Sequence, residues 1–481
     1  MNSNKPFSYK GFFLASTGQS VIEGWRQISI FSFHLSLPLS VPLIHVQKSS
    51  KEIAVIIGWV SDKNNLLDDG QVIDIGEMNF AHFKEDLCGR YVVIACAANQ
   101  HLTIETDAGA LFPVVYDRIA RIIASSPFLV AAHKTLELDP NIQSIKRLDL
   151  TIWYPFGLTP YMGVRRLLPR ESLFLSHENC FVSASATLVP LNSMPNMTEI
   201  ICAEVSKYVA CFATGGKLSA HLTAGYDSRM VMAAILKAGI DARFLTINGS
   251  STSTQIDLHV ASRLASKLGV THQIIPFEEP SENELAEWQQ RVGYCITDAV
   301  TSLCRTVRNT DTGEFILTGA CGEVGRSFYW NKDDIDAVGI APDLLIKRLG
   351  FKESKLLELE AEKWLKRFSE KSKRTFILDN AYVDLRLGCW AGPSMPGHFI
   401  AKPTISPFNS QWVYRAMLGL DEGYRFSQQF AVDFIRAGSA QLLSEGFNRV
   451  RGLARFRYLR NEVKNLLPKG FIRNIKQYIN R

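Results

Sequence analysis

Thr223-Ala224-Gly225-Tyr226-Asp227-Ser228 stands between the apolar run Lys217–Leu222 and the helix-forming stretch Arg229–Ala238, and its reading decides the fold. A small residue and a glycine let backbone N–H groups approach an anion closely, and the start of the following helix adds its positive dipole end. Ser228 adds a hydroxyl donor. Asp227 is out of place beside a bare phosphate, because its charge repels the ligand unless a divalent cation lies between them. The occupant implied is a nucleotide with Mg²⁺. Ordinary strand-to-helix turns use the same residue types, so the surrounding pattern must separate the two readings.

Downstream, Ala242–Ile247 is apolar and rich in β-formers, Gln255–Leu268 has helical periodicity, and His272–Phe277 is apolar again. A helix over Glu282–Cys295 and a strand over Glu314–Thr318 continue the alternation. This predicts an α/β domain with a doubly wound parallel sheet, whose ligand lies off the carboxyl ends of the strands. The loop falls there. The N-terminal part reads differently. Ile53–Val60, Gly89–Ala97, Leu102–Glu105, Pro113–Tyr116 and Ile122–Ser125 are short β-rich runs split by Gly, Asn and Asp, without a helical stripe of comparable strength. They predict a separate β-rich domain.

With 481 residues and 46% apolar composition, the chain can fill two to four full-sized domains at roughly 100–200 residues each. No stretch is apolar enough to span a bilayer, and Met1-Asn2-Ser3-Asn4-Lys5-Pro6 lacks the apolar core of a secretory signal. The expectation is a cytoplasmic protein. Its nine cysteines are scattered with no Cys-x-x-Cys pair, which suggests neither a disulfide framework nor structural zinc. Charge is concentrated at the C-terminus: residues 445–481 carry ten Lys/Arg against two Glu, a net of +8 in a chain whose total is +6. Phe471, Ile472, Ile475, Tyr478 and Ile479 would share one face of a helix there. That pattern suits an anionic membrane surface or an acidic partner, or a terminal helix packed on its own domain with solvated charges. No base-reading motif accompanies it, so no specific nucleic acid is expected.

The loop resembles the Ser-Gly-Gly-x-Asp-Ser motif of the asparagine synthetase family of ATP pyrophosphatases. Asp257, Ala261, Ala265 and Leu268-Gly269 are similar to that family's second helix and turn, and Leu317-Thr318-Gly319-Ala320-Cys321-Gly322-Glu323 resembles its Gly-Asp-Gly-x-Asp-Glu segment, one residue shorter and with one acid retained. Leu87–Val92 through Asp107–Pro113 looks like the glutaminase domain that precedes the synthetase domain, and Gly157–Val164 with Leu168-Pro169 resembles the inter-domain edge. The resemblance spans about residues 50–440. It implies an Ntn-type glutaminase-like sandwich over residues 1–190, an adenine-nucleotide α-hydrolase-like synthetase domain with a helical C-terminal part over 191–445, and a basic segment over 446–481. It also implies ATP contacts from Thr223, Ala224, Gly225, Tyr226, Asp227, Ser228, Ile247 and Gly319, with Asp227 and Glu323 sharing Mg²⁺.

Family members that hydrolyse glutamine expose a cysteine at position 2, whose thiolate and α-amino group act together. Asn2 stands here, so the glutaminase-like domain is expected to be inactive, as in relatives such as β-lactam synthetase. Nitrogen would come from ammonia, an amine-bearing substrate, or a separate glutaminase. Leu378–Arg386 with Trp390 resembles a helix carrying an Asp-Arg pair beneath the site, and Ser406-Pro407-Phe408-Asn409 resembles the family's Pro-Phe-Leu-Asp segment, with Pro403 in place of the usual upstream glutamate. Asp384, Arg386, Arg326 and Tyr329 are candidates for carboxylate binding or proton transfer, with a salt bridge or a core tyrosine as the alternative. His221, His272 and His398 show no ligand spacing and read as structural, and Cys321 reads as packing.

The expected activity is an AMP-forming carbon–nitrogen ligase acting on a small-molecule, peptide or saccharide carboxylate. Intramolecular closure of the β-lactam or lasso-peptide type is the alternative within that class, and a non-catalytic scaffold is the alternative outside it. Transfer-RNA thiolation would call for specially placed cysteines that the sequence lacks.

Overall fold

The computed structural model describes residues 11–15, 22, 24–31, 33–96, 101–149, 151–184, 187–298, 301–308, 315–398 and 403–449. Asn2 and the basic stretch beyond Arg449 lie outside them, as does the side chain of His398.

Two sheets make up the N-terminal part. One has six antiparallel strands in the order Val164–Arg166, Val115–Asp117, Ile122–Ala124, Phe13–Ala15, Phe33–Leu37, Arg26–Ile30. The other has seven, running from Cys180–Ala184 through Glu171–Leu175, Leu102–Thr106, Cys88–Cys96, Lys51–Ser61 and Leu43–Lys48 to Val72–Asp74, with only the last pair parallel. Phe12, Leu14 and Leu35 from the first and Val55, Val92 and Ile94 from the second join one buried cluster. The central strands Lys51–Ser61 and Cys88–Cys96 are buried on both faces, Val55 and Val92 toward the first sheet and Ile56 and Val93 in a second apolar cluster with Phe83 and Leu87, which explains the continuous β-rich runs seen in the sequence. A short helix, Phe80–Glu85, interrupts them where only strands were expected, capped by the Asn79 side chain.

The second part is built on five parallel strands in the order His272–Pro276, Ala242–Asn248, Leu218–His221, Phe315–Leu317, Thr404–Ile405. In sequence terms this is 3-2-1-4-5, so the order reverses between Leu218–His221 and Phe315–Leu317, and loops leaving those two strands open the crevice where such sheets bind ligands. The elements between them match the expected alternation with shifted ends. The loop helix runs Tyr226–Lys237, three residues earlier than the periodicity predicted, because Asp227 in its first turn suits the helix dipole. The next helix spans Thr252–Leu268 with Ser251 as cap. The helix predicted to reach Cys295 ends at Arg291, where Gly293 and Tyr294 turn the chain with φ of 61° and 54°.

The buried cluster does not stop between the two parts; it continues through Leu387, Phe408 and Tyr414 to Met230 and Phe434. Ser406–Asn409, quoted above for its resemblance to a site segment, is the weld. Asn409 Nδ2 donates to Gly89 O (2.6 Å) and Asp107 Oδ1 (2.8 Å), and Gly89 N–H returns a bond to Asn409 O (3.2 Å). Asp107 is saturated by further bonds from the N–H groups of Tyr91, Gly109, Leu111 and Phe112, which is how a buried carboxylate is tolerated. Among the described residues no helix is long and apolar enough to cross a membrane.

Candidate functional site

The crevice between the first and fourth parallel strands brings Asp227, Glu323 and Arg326 together. Arg326 Nη2 donates to both Asp227 oxygens (2.7 and 2.6 Å) and lies 3.5 Å from Glu323 Oε1. The loop after the fourth strand reaches the helix start only because its residues are small. A Cβ on Gly319 would lie 2.6 Å from the Asp227 carbonyl carbon, and one on Gly322 would lie 2.7 Å from Met230 Cε. Cys321 between them is held at φ 73°, a strained conformation for a residue with a side chain. Its thiol is buried, and burial pushes it up to about 12, so it packs rather than reacts.

The loop itself differs from the sequence reading in its donors. Thr223 N–H donates to Ser228 Oγ (3.1 Å), Ala224 N–H to Asp257 Oδ1 (2.8 Å), and Gly225 N–H to Thr223 Oγ1 (3.2 Å). Those three amides and the Ser228 hydroxyl, expected to grip a phosphate, hold the loop in shape instead. The donors left for an anion are the first-turn amides of Tyr226 and Ser228, because Gly225 at the N-cap supplies no side-chain acceptor and the Asp227 amide faces its own carboxylate. Ile247, half-buried, lies on the Ala242–Asn248 strand beside this end of the sheet.

Residues far along the chain complete the loop. The Arg229 guanidinium, fully buried, donates to the carbonyls of Ala224, Leu442, Glu445 and Gly446. Phe447 stacks on Tyr226 with centroids 4.0 Å apart, and Asn448 N–H donates to Ala224 O (2.9 Å). Sequence reading left Arg229, Phe447 and Asn448 without a role; an arginine inside an otherwise apolar helix face was the one available signal.

A ten-residue π-helix, Tyr382–Ala391, carries the other wall. Tyr382 donates its hydroxyl to Glu323 Oε2 and packs its ring on Phe328, 4.9 Å away. Burial and then the adjacent Glu323 charge push its phenol well up. Four residues on, Arg386 lies 3.6 Å over Trp390 and 5.8 Å from the Phe328 centroid, a guanidinium held by rings with no carboxylate partner among the described residues. Tyr329 is buried beside them, and burial raises its phenol, so it keeps its proton at neutral pH and can donate but not act as a base.

The structure gathers Asp227, Glu323, Arg326, Tyr329 and Arg386 in one neighbourhood and leaves Asp384 out. Asp384 is fully buried, bonded by Arg170, by Arg367 (2.9 Å) and by Trp364 Nε1 (3.1 Å). Every oxygen there is committed to neighbours, so the salt-bridge alternative describes it. Tyr382 was missed, although it lies inside the quoted Leu378–Arg386 stretch, because an aromatic at helical spacing is ordinarily core. His272 bonds Thr246 Oγ1 (2.9 Å), and His221 is half-buried, with its ring pushed toward the neutral form by desolvation.

Asp227 carries the unusual electrostatics. Burial pushes its carboxyl up to about 7, against the pull of Arg326 and with a further push from Glu323. Among the described residues no group of three metal-ligating side chains forms. Two carboxylates are nonetheless the usual protein share of a Mg²⁺ site that keeps water and phosphate oxygens as its other ligands, so the donor set fits that ion if Arg326 yields its place.

No family model matches this chain, and no curated protein matches it. Among solved structures, NMN synthetase from Francisella tularensis is similar over 37% of this chain and 72% of its own, at 16% identity and a TM-score of 0.21. Glutamine-dependent NAD⁺ synthetase from Acinetobacter baumannii, in complex with ADP, is similar over 45% of this chain at 14% identity and a TM-score of 0.19; only 40% of that protein is covered. Likenesses at this level bear on neither activity nor ligand.

Proposed function

We propose that this chain is an ATP-dependent ligase that adenylates a substrate carboxylate and passes the acyl group to ammonia or an amine. One observation carries the reading: at the strand-order reversal, a helix N-terminus without a side-chain cap faces a carboxylate pair held by a single guanidinium, and ring contacts link that pair to an arginine free of any carboxylate among the described residues. Each part has a task in such chemistry. The first-turn amides of Tyr226 and Ser228 would hold the departing pyrophosphate. Arg386, desolvated by its rings, would orient the acceptor carboxylate so that its oxygen meets the α-phosphorus. Asp227 and Glu323 would hold Mg²⁺, which neutralises phosphate charge when bound, while Tyr382 fixes the Glu323 carboxylate.

Atoms balance without a further reagent. The carboxylate oxygen bonds phosphorus as pyrophosphate leaves, and the amine nitrogen then bonds the acyl carbon as AMP leaves with the electron pair. The amine gives up one proton as the bond forms, and the departing AMP phosphate or water takes it. Intramolecular ring closure would use the same groups. Nitrogen would arrive as ammonia, free or from a separate glutaminase, or on an amine-bearing substrate.

The test is purified protein with MgATP, a carboxylate panel, and ammonia or amino acids, with pyrophosphate and AMP measured beside Asp227→Ala. Pyrophosphate that needs both a carboxylate and Asp227 is the expected result. Phosphate with ADP would sink adenylation, and absence of ATP binding by calorimetry would favour the scaffold alternative.

A further inference from the structure

At one side of the N-terminal sheets a cleft of about 1070 Å³ opens between Val115–Asp117 and Val164–Arg166 of the first sheet and Glu171–Leu175 and Cys180–Ala184 of the second, with the helix Lys355–Leu365 as a further wall. Small-molecule sites run to roughly 300–1,000 Å³, so an extended ligand suits it better. Its cations outnumber its acids. Arg165 and Lys363 share Glu360 (2.7 and 2.9 Å), and Arg367 is held by Asp384 (2.9 Å) and Glu171 (3.8 Å). Arg118 and Lys366, both exposed on the cleft, pair with no acid among the described residues.

The Cys180–Ala184 strand is outermost in its sheet and pairs only with Glu171–Leu175 among the described residues. Ser176 N–H bonds Asn179 O across the turn (2.8 Å), so the hydrogen-bonded pairs fall at Phe174/Phe181 and Ser172/Ser183, and the Val182 N–H and C=O point to the open side. Native edges are ordinarily guarded by charge, proline or a bulge. Cys180-Phe181-Val182-Ser183-Ala184 has none of these. Val182 lines the cleft, while Phe181, on the opposite face, is 50% exposed and stacks on its cross-strand neighbour Phe174. Arg121 Nη1 donates to His177 O (2.6 Å), which holds the turn bearing Arg118 against the turn that starts this strand.

We propose that this edge takes up an extended acidic segment of a partner protein as an added strand, its backbone pairing with Val182 and its carboxylates reaching Arg118 and Lys366 in the cleft. In such additions backbone pairing supplies affinity, and the pockets beside the edge supply specificity. Side chains alternate along a strand, so apolar residues between the acids would meet Phe181 on the other face. An acidic saccharide lacks the amide row that the edge matches. Single-stranded nucleic acid calls for open rings on which bases stack, whereas Tyr116 and Trp364 in the cleft are buried. The cleft shares none of its lining with the Asp227 crevice, and the proposal does not depend on the ligase reading.

The experiment is fluorescence anisotropy of the full chain with a fluorescein-labelled heptapeptide that alternates glutamate and valine, followed by hydrogen exchange on the same mixture. A lysine–valine heptapeptide and oligogalacturonate are the other arms. The glutamate–valine peptide is expected to saturate one site and to slow exchange of the Val182 amide, with the lysine–valine peptide silent. Arg118→Glu combined with Lys366→Glu should weaken binding by about tenfold or more, and by more at low salt than at high. Val182→Pro removes the outward donor at a position where an edge tolerates proline, and it should weaken binding while the charged residues stay in place. Should that variant fail to fold, exchange at Val182 in the wild-type chain still decides. Bound peptide that leaves Val182 exchange unchanged overturns the added strand, and so does the absence of saturation. Equal binding of the lysine–valine peptide, or binding indifferent to the charge reversal, overturns the acidic assignment. Displacement of the peptide by oligogalacturonate, with the same residue dependence and at equal affinity, overturns recognition of a peptide. A dimer in sedimentation that Val182→Pro abolishes and that excludes the peptide overturns the separate partner in favour of a second copy of this chain.

Discussion

Asp227 and Asp384 each hold arginine, and they differ in what surrounds them. The Asp384 oxygens are fully buried and divided among Arg170, Arg367 and Trp364, all fixed by packing. Asp227 is 28% exposed, shares its single arginine with Glu323, and sits at the mouth of the crevice where the sheet reverses order. A closed cluster of that kind can only stabilise or destabilise the fold, whereas an open one can exchange its cation for another. The same residue types thus serve structure in one place and offer chemistry in the other, and solvent access decides which.

Several substitutions would break or sharpen this contrast. The largest effect is expected at Asp384→Asn, which strands two buried guanidinium groups and should cost about 3–5 kcal/mol of stability, read by denaturant unfolding. A loss below 1 kcal/mol would mean that the cluster is not structural. At the open cluster, Arg386→Gln should leave the unfolding midpoint nearly unchanged while raising KM for the carboxylate substrate. The expected penalty is about 1.5–3 kcal/mol, that of a hydrogen bond to a charged group; unchanged KM with reduced kcat would move Arg386 out of substrate binding.

Acidity gives a finer comparison. Because burial lifts the Asp227 carboxyl to about 7, its contribution favours the folded state below the unfolded pKa near 4 and is lost as pH rises through 7. Wild-type stability should therefore fall more between those limits than that of Asp227→Asn, and parallel curves would contradict the raised value. Over the same window Mg²⁺-dependent nucleotide binding should strengthen, since only the ionised carboxylate can take the metal. The smallest effect is expected from Phe447→Ala, which removes one ring pair worth about 0.5–1.5 kcal/mol and should loosen the Thr223–Ser228 loop. Hydrogen exchange at those amides is the readout.

Much of the parallel-sheet region was legible along the chain, because strands buried on both faces are continuous apolar runs and the helices between them carry the 3.6-residue period. Five of the N-terminal strands were legible from β-rich composition and turn residues, whereas others, Phe13–Ala15, Arg26–Ile30, Phe33–Leu37 and Leu43–Lys48 among them, were not read. Less visible were the Phe80–Glu85 helix, too short for a periodic stripe, and the early start of the loop helix at Tyr226, where polar first-turn residues mimic a loop. Asp227, Glu323, Arg326, Tyr329 and Arg386 were named from the sequence and lie in one neighbourhood, whereas Tyr382, Arg229 and Phe447 were not named, since their partners lie 59, 213 to 217 and about 220 residues away and no local pattern encodes such a meeting.

By itself the sequence determined the parallel α/β pattern of the second part and where its Thr223–Ser228 strand-to-helix loop falls, because both follow from short-range rules of periodicity, turn chemistry and helix ends. Only the tertiary structure decided which loop amides are spent on Ser228, Thr223 and Asp257, and that Arg326 rather than solvent sits between Asp227 and Glu323. It also separated Asp384, sealed with two arginines, from Arg386, stacked on Trp390 two residues later on the same helix with no carboxylate partner among the described residues. Those outcomes depend on burial and on hydrogen bonds between residues distant in the chain, and charge chemistry follows the environment that packing creates rather than the residue's name.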